Sequence, residues 1–231
     1  MARMPSRAAV PILAIGGAAV ITLLAIAVTS GVSDGFDAAV IGVVRSPALH
    51  GLLGPLRWVT ELGSTGAVTL VAAIAIVLGI LFGHWWHGLI AAVTIGLASL
   101  GNEWFKTLMA RHRPDVLEPV LIERGFSFPS GHSLLSMVAY GVIGVLVMRS
   151  TLPLGVRRGI VAVLAVVVLL VGLSRVWLGV HYPTDVLAGW TAGAVVVLVY
   201  ARVTRSVSPG RAAAAVGADP AAPRSGPPAP G

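Results

Sequence analysis

Apolar runs of about 20 residues constrain this chain more than any other feature of its sequence. An α-helix rises about 1.5 Å per residue, so such a run crosses the roughly 30 Å hydrocarbon core of a bilayer. Hydrophobic residues make up 56% of the 231 residues and charged residues only 11%, a balance outside the range of soluble domains. No run shows the two-residue alternation of a membrane barrel. The sequence therefore predicts an all-α, polytopic membrane protein.

Six of these runs are predicted to be transmembrane helices. They lie at about residues 9–29, 67–83, 88–108, 131–148, 159–174 and 183–200. The first run follows Arg3 and Arg7, as the core of a secretory signal peptide follows its basic residues. It is longer than the roughly 7–15 residues of such a core and no clear cleavage site follows it, so we interpret it as a retained helix.

Two segments differ in composition from the predicted spans. Residues 30–66 mix short apolar stretches with charged residues and prolines, which indicates an extramembrane segment with one or two short interfacial helices. From about residue 206 to 231 the chain is rich in Ala, Pro, Gly and Ser with occasional Arg. Such a composition cannot bury a core, so we expect one membrane domain over residues 1–205 and a disordered tail at 206–231.

The distribution of basic residues predicts the orientation in the membrane. Six spans place both termini on one side, which collects nine basic residues: Arg3, Arg7, Arg149, Arg157, Arg158, Arg202, Arg205, Arg211 and Arg224. The other side carries seven, of which Lys106, Arg113 and Arg175 have a catalytic explanation given below. Because cytoplasmic loops are enriched in Lys and Arg, we expect cytoplasmic termini and extracytoplasmic loops at 109–130 and 174–182.

The net charge of +7 favours an anionic partner. Basic residues are scattered over loops, helix ends and the tail rather than gathered on one face, so we expect anionic lipid or phosphate and no nucleic acid. Fifteen of the sixteen basic residues are Arg, which makes the compact ammonium of Lys106 distinctive. The absence of cysteine excludes disulfides, and nothing in the sequence indicates the oligomeric state.

Three short clusters of polar residues fall on the predicted extracytoplasmic side. They are Lys106 with Arg113-Pro114, then Pro129-Ser130-Gly131-His132, and finally Ser174-Arg175 with His181 and Asp185. Together they resemble the signature of the type 2 phosphatidic acid phosphatase superfamily, with no departure in residue type or spacing. The resemblance spans residues 106–185, and three motifs in order are far more specific than any one of them.

The resemblance implies a reaction and a role for each residue. His181 would attack phosphorus, Asp185 would orient His181, and His132 would act first as an acid and then as a base. The other matched positions would bind phosphate: Lys106, Arg113, Ser130, Gly131 and Arg175. The implied substrates are lipid phosphates of a bacterial-type cytoplasmic membrane, such as phosphatidic acid, phosphatidylglycerophosphate or undecaprenyl diphosphate.

Elementary chemistry supports the same assignment. A phosphoryl group spreads negative charge over three oxygens in its transition state, so a catalyst needs cations and N–H donors around one point. Ser130 and Gly131 are predicted at a helix N-terminus, where free N–H groups and the helix dipole favour an anion. Asp185 follows His181 by four residues at a helix start opened by Pro183. The carboxylate can therefore fix the imidazole tautomer and raise its basicity.

Other interpretations of the same residues are open at this point. A phosphotransferase would pass the phosphoryl group from His181 to another acceptor, whereas a transporter or an inactive lipid-binding protein would form no such intermediate. Transporters often contain internal repeats, and none is obvious here. Six spans also suit a lipid substrate better than the halide oxidation of the related vanadium haloperoxidases.

Simpler roles are expected for several polar residues near the clusters. Lys106 can pair with Glu103 one turn earlier on the same helix. Arg111, His112 and Arg124 lie outside the three motifs, and we expect them to make surface or headgroup contacts. No metal ion or cofactor is expected, because the nearby carboxylates are too dispersed for a two-metal site: Glu103, Asp115, Glu118, Glu123 and Asp185.

Overall fold

The computed structural model describes residues 9–115 and 123–206, and all regular secondary structure within these ranges is helical. The elements are α1 (Ala9–Thr29), α2 (Asp34–Val44), a 3-10 helix (Pro47–Leu52), α3 (Leu53–Glu61), α4 (Thr65–Leu81), α5 (Trp85–Met109), α6 (Gly131–Arg149), α7 (Leu154–Trp177) and α8 (Pro183–Ser206). The predicted all-α class is confirmed. The predicted tail lies outside the described residues except for Ser206, the last residue of α8, and Glu118 also lies outside them.

Five of these helices are long and apolar enough to cross a membrane, namely α1, α5, α6, α7 and α8. A sixth span results if α3 and α4, which are bent by 43° at the break between them, count together as one. Helix α1 is described from Ala9 and ends at Thr29, as predicted, whereas α5, α7 and α8 extend beyond their predicted ranges. The described chain is thus an all-helical protein with five to six candidate spans.

The start of α7 differs from the sequence-based prediction. Arg157 and Arg158 are predicted in the loop before the fifth span, but both lie inside α7, which begins at Leu154. Nη1 of Arg157 donates to the carbonyl oxygen of Met148 at 2.8 Å, in the last turn of α6. The guanidinium reaches back to satisfy an end-of-helix carbonyl, so the charge is accommodated without interrupting α7.

The segment between α1 and α4 contains the short helices expected of it. Helix α2 packs against α7 and α8, and α3 packs against α7. Asp37 of α2 and Thr60 of α3 are each only 1% exposed. This segment therefore brings buried polar side chains into the bundle, a contribution that its mixed composition does not indicate.

Helix α6 lies at the centre of the bundle, where it packs against α4, α5, α7 and α8. Val138, Ala139 and Val142 on this helix are fully buried and belong to the main hydrophobic core. Because neighbours surround α6, its N-terminal end is held in place by the packing of the whole bundle.

Helix α8 approaches α6 closely through two glycines that are four residues apart. A Cβ atom on Gly189 would lie 2.6 Å from the carbonyl oxygen of Ser130, and one on Gly193 would lie 2.8 Å from that of Leu134. Small residues at this spacing let two membrane helices pack with their backbones nearly touching. The backbone N–H of Ser130 accordingly donates to the carbonyl oxygen of Asp185 at 3.0 Å, which joins the N-terminal ends of α6 and α8.

We expect Gly189→Val to lower the thermal stability of the purified protein substantially. The added side chain would meet backbone atoms that cannot move aside, and overpacking of this kind costs about 1–3 kcal/mol. Gly96→Val is the matched control, because a Cβ on Gly96, also inside a helix, meets nothing within 4 Å. Thermal unfolding of both variants in one detergent would check this, and equal melting temperatures would contradict the close approach.

Candidate active site

The residues predicted to form the site lie together at one end of the bundle. Lys106 lies in the last turn of α5 and Arg175 in the last turn of α7. Ser130, Gly131 and His132 begin α6, while His181 and Asp185 flank the start of α8. Arg113 lies in the chain between α5 and α6. The antiparallel order of these helices thus brings three distant sequence motifs to the same polar end.

The N-terminus of α6 combines two features that favour an anion. Ser130 is the N-cap residue, and its Oγ accepts hydrogen bonds from the backbone N of Ser133 at 3.4 Å and from Ser133 Oγ at 3.0 Å. A Cβ on Gly131 would lie 3.5 Å from Nζ of Lys106. The ammonium therefore stands beside the positive end of the helix dipole. It also pairs with Glu103 at 3.2 Å, so the simpler role predicted for Lys106 holds as well.

His181 and Asp185 form a buried pair with a defined tautomer. Nδ1 of His181 lies 3.3 Å from Oδ2 of Asp185, and the two side chains are 1% and 0% exposed. The other ring nitrogen, Nε2, lies 3.2 Å from Nη1 of Arg113. A guanidinium can only donate and a carboxylate can only accept, so the proton is on Nδ1 and the lone pair is on Nε2. Nε2 is therefore the nitrogen available for attack, and it faces the cations.

Burial keeps this imidazole neutral. Loss of solvent lowers the pKa of His181 to about 3, although the hydrogen bond and the charge of Asp185 act in the opposite direction. The nearby charges of Arg175 and Arg113 also lower the pKa. At neutral pH the ring is therefore neutral, with one proton on Nδ1, and only this neutral form has a free lone pair on Nε2 for nucleophilic attack.

Two guanidinium groups converge on a carboxylate beside the imidazole. Arg113 is anchored by its Nη1, which donates to the carbonyl oxygen of Val180 at 2.8 Å. Arg175, 1% exposed, donates from Nη1 to Oγ1 of Thr60 at 2.7 Å. Glu123 lies between the two, with Oε2 3.2 Å from Arg113 and Oε1 in close contact with Arg175. The two carboxylate oxygens of Glu123 thus lie between the two guanidinium groups, where two oxygens of a phosphate group could make the same contacts.

His132 lies in the first turn of α6 and is partly buried. A Cβ on Gly63, in the link between α3 and α4, would lie 3.1 Å from Cδ2 of its ring. Glycine at this position leaves room for the imidazole. The backbone N–H of Ser130 donates to the carbonyl oxygen of Asp185 at 3.0 Å, so the first turn of α6, which carries His132, lies beside the start of α8 and the His181–Asp185 pair.

One sequence-based expectation is wrong. Arg111 is not a surface or headgroup residue, since its side chain is 11% exposed and makes two buried ion pairs. Nη1 donates to Oδ1 of Asp185 at 2.6 Å, and Nη2 donates to Oδ2 of Asp37 at 2.8 Å. The guanidinium carbon also lies 3.9 Å from the centre of the Tyr182 ring. By contrast, His112 and Arg124 are exposed, as expected.

Sequence reasoning missed Asp37, Thr60 and Thr184 altogether. The only signal for Asp37 is that it is the second carboxylate, after Asp34, in the first turn of a short helix whose other residues are apolar or glycine. Arg111 carries a comparable signal, because it lies two residues before a motif arginine, Arg113. Neither signal indicates which residue is the partner. The partners become evident only from the packing of α2 against α8.

The fold and this polar end define a class of helical membrane protein in which Lys106, Arg113 and Arg175 lie at the same end of the bundle as two imidazoles. A family model described as the PAP2 superfamily matches residues 87–208, which is more than half of the chain, and the chain belongs to this superfamily. That assignment confirms the family resemblance of the three motifs.

Two known proteins are similar in sequence to parts of this chain. Phosphatidylglycerophosphatase B of Bacillus subtilis is 33% identical over 155 residues, covering 65% of this chain and 73% of that protein. An undecaprenyl-diphosphatase of Sulfolobus acidocaldarius is 34% identical over 113 residues, covering 46% of this chain and 50% of that protein.

Two solved structures have a similar fold. The crystal structure of a transmembrane PAP2 type phosphatidylglycerolphosphate phosphatase from Bacillus subtilis matches with a TM-score of 0.78 and 26% identity, covering 85% of this chain and 98% of that one. Aquifex aeolicus LpxE matches with a TM-score of 0.53 and 20% identity, covering 73% and 93%, a likeness of fold alone.

Proposed function

We propose that this protein hydrolyses a lipid phosphate through a phosphohistidine intermediate on His181. The observation that carries the proposal is the buried neutral imidazole, with Nδ1 held by Asp185 and the lone pair of Nε2 turned toward the cations. Membership of a phosphatase superfamily and the two named relatives favour this reaction over transport. The relatives also direct attention to phosphatidylglycerophosphate and undecaprenyl diphosphate as substrates, with phosphatidic acid as a third candidate.

In the first step Nε2 of His181 attacks phosphorus. The new P–N bond forms as the bond from phosphorus to the leaving oxygen breaks, and His132, which is protonated once the anionic phosphate is bound beside it, gives that oxygen its proton. Lys106, Arg113 and Arg175 hold the three equatorial oxygens, together with the N–H groups at the start of α6. Asp185 stabilises the positive charge that the imidazole ring acquires on phosphorylation.

In the second step water replaces the histidine. His132, now neutral, takes a proton from water as the new P–O bond forms and the P–N bond breaks. Inorganic phosphate leaves, and His132 is again protonated while His181 is again neutral. The two steps therefore return the enzyme to its starting state with one water consumed.

An apolar groove beside the site suits the hydrocarbon part of the substrate. It has a volume of about 780 Å³ and lies between α1, α5, α6 and α8. Its wall follows α5 from Trp86 to Phe105, which at about 1.5 Å per residue is about 28 Å, close to the depth of the bilayer core. Asn102, Phe105 and Pro129 line the end of the groove next to the phosphate site. A lipid tail in this groove would place its phosphate against the cations.

The site is proposed to face the extracytoplasmic side of a bacterial-type cytoplasmic membrane. The excess of basic residues at the opposite end and in the termini supports this orientation. Substrate would then enter from the outer leaflet.

The proposed reaction is tested by phosphate release from purified protein in detergent containing a chelator. The panel consists of phosphatidic acid, phosphatidylglycerophosphate and undecaprenyl diphosphate, and we expect free phosphate from at least one of them. Within the described residues no group of three or more His, Cys, Asp or Glu could hold a metal ion. Activity that disappears with chelator and returns with a divalent cation would contradict metal independence. A phosphorylated acceptor in place of free phosphate would identify a phosphotransferase.

We expect Glu123→Gln to strengthen inhibition by inorganic phosphate. An incoming phosphate must displace the Glu123 carboxylate from Arg113 and Arg175, and the neutral amide binds these guanidiniums less tightly. A tenfold lower inhibition constant corresponds to about 1.4 kcal/mol, a reasonable scale for one weakened ion pair.

Glu103→Gln is the control for this measurement. Glu103 also pairs with a cation of the site, but its side chain is 69% exposed, and exposed ion pairs contribute little. An inhibition constant that rises in Glu123→Gln would show instead that Glu123 holds the two guanidiniums in place for the substrate.

A further inference from the structure

We infer that Asp37 and Arg111 are positioning residues, which hold the Asp185 carboxylate in the orientation that His181 requires. The inference rests on the proposed function, because it concerns the same histidine. Its basis is a continuous chain of buried contacts that runs from α2 through the loop after α5 to the start of α8.

The first step of the argument is that Asp185 cannot rotate. Its Oδ1 accepts from Nη1 of Arg111 at 2.6 Å. Its Oδ2 accepts from the backbone N–H of Tyr182 at 2.9 Å and lies 3.3 Å from Nδ1 of His181. Both oxygens are therefore engaged. Because Arg111 binds Oδ1, the carboxylate is held with Oδ2 facing the imidazole. Without Arg111 the carboxylate could turn about its χ2 bond, which has a broad energy profile.

The second step concerns how Asp37 holds Arg111 and α8 together. Oδ2 of Asp37 accepts from Nη2 of Arg111 at 2.8 Å and from Oγ1 of Thr184 at 2.7 Å. Oδ1 accepts from the backbone N–H of Thr184 at 3.0 Å. Thr184 precedes Asp185 in the first turn of α8, so Asp37 caps this helix from a different helix. Asp37 thus fixes both the arginine and the backbone that carries Asp185.

The third step is the balance of charge. Arg111 alone would neutralise Asp185 and weaken its support for the positive ring that forms when His181 is phosphorylated. Asp37 adds a second negative charge, so the three side chains together carry one net negative charge. Asp37 and Asp185 are 1% and 0% exposed, and at such depth unpaired charges are costly. Apolar side chains packed at these positions would stabilise the fold at least equally. Stability alone therefore does not explain the buried charges, and we infer that they serve the histidine.

The test compares Asp37→Asn, Arg111→Gln and Arg111→Lys with the wild-type protein. We expect kcat for the lipid phosphate to fall roughly 10- to 100-fold, as is common for residues that orient a catalytic group, while KM changes by less than about threefold. Arg111→Lys keeps the charge but cannot span both carboxylates, so it should recover only part of the loss. Arg149→Gln is the matched control, because Arg149 is a partly buried arginine with hydrogen bonds to Thr204 and Ala201 in α8. Its kcat should stay near that of the wild type.

A spectroscopic readout separates positioning from loss of fold. In protein labelled with ¹⁵N-histidine, the signal of His181, assigned through its absence in His181→Asn, should report the Nδ1–H tautomer in the wild type. We expect a mixture of tautomers in Asp37→Asn and Arg111→Gln. If either single variant fails to fold, the double variant Asp37→Asn/Arg111→Gln removes one buried charge of each sign, restores the net charge of −1 that the cluster carries in the wild type, and should recover folding but not kcat.

The outcomes distinguish the two proposals. Folded variants with wild-type kcat and an unchanged His181 signal would overturn the positioning role. Wild-type protein that releases no phosphate from any lipid of the panel would overturn the proposed function, whereas the tautomer measurement would still decide whether Asp37 and Arg111 orient the pair.

Discussion

Replacing His181 with Asn abolishes phosphate release, with an expected loss in kcat on the order of 10⁶-fold, the scale seen when a catalytic nucleophile is removed. Asparagine is close to histidine in size and polarity and can still hydrogen bond to Asp185, but the lone pair of its amide nitrogen is delocalised into the carbonyl group and does not attack phosphorus. The buried position of the ring, 1% exposed, means that water cannot easily take its place. Brief incubation with ³²P-labelled lipid should label the wild-type protein and leave the variant unlabelled.

The control for this experiment is His84→Asn. His84 lies just before α5, at the opposite end of the bundle from Lys106 on the same helix. Both variants should elute from size exclusion as the wild type does and melt at similar temperatures. A His181→Asn protein that retains substantial turnover would exclude the phosphohistidine mechanism, whatever the lipid.

Replacing His132 with Asn lowers turnover less, by roughly 10²- to 10⁴-fold, the usual contribution of a general acid or base. The nucleophile stays intact in this variant, so the size of the loss should depend on the leaving group. An alkoxide that leaves from a phosphomonoester is strongly basic and needs a proton from a general acid. A nitrophenolate, or the phosphate that leaves from a diphosphate, is much less basic and depends less on protonation. The variant should therefore form the phosphohistidine readily from p-nitrophenyl phosphate.

The second half of the reaction provides an independent check. His132 is also the proposed base that activates water, so the His132→Asn protein should accumulate ³²P-labelled phosphohistidine from an activated substrate. Labelling should be stable to alkali and lost in acid, the behaviour of a P–N bond. Equal losses for all leaving groups, without accumulation of label, would remove His132 from both proton transfers.

The sequence predicted the helices well where hydrophobicity alone determines them. Helix α1 ends at Thr29, as predicted, because its uninterrupted apolar run stops there at Ser30 and Gly31. The start of α7 was missed because Arg157 and Arg158 suggest a loop, and only the contact of Arg157 with Met148 explains why the helix continues through them. Local composition therefore locates spans, while the exact ends depend on which carbonyl a long side chain can reach.

The three motifs likewise predicted which residues gather at one end, and the structure brings them together. Their local spacing could not predict Arg111, whose partners Asp37 and Asp185 are each 74 residues away in sequence. For Glu123 the sequence indicates only one of several dispersed carboxylates near the motifs, because nothing local indicates that it lies between Arg113 and Arg175. Contacts between residues so far apart in sequence follow from the packing of helices, which cannot be predicted from local composition.

The groove between α1, α5, α6 and α8 has a consequence for kinetics. Apolar residues along it, such as Leu97 and Val93, are 64% and 52% exposed, so its wall belongs to the outer surface of the bundle, where lipid would surround it. A substrate that arrives by sliding within the leaflet never dissolves in water. The rate should then follow the mole fraction of substrate in the micelle or vesicle and fall when inert lipid is added at constant bulk concentration. Turnover would therefore depend on the concentration of substrate within the membrane plane and not on its concentration in the bulk solution.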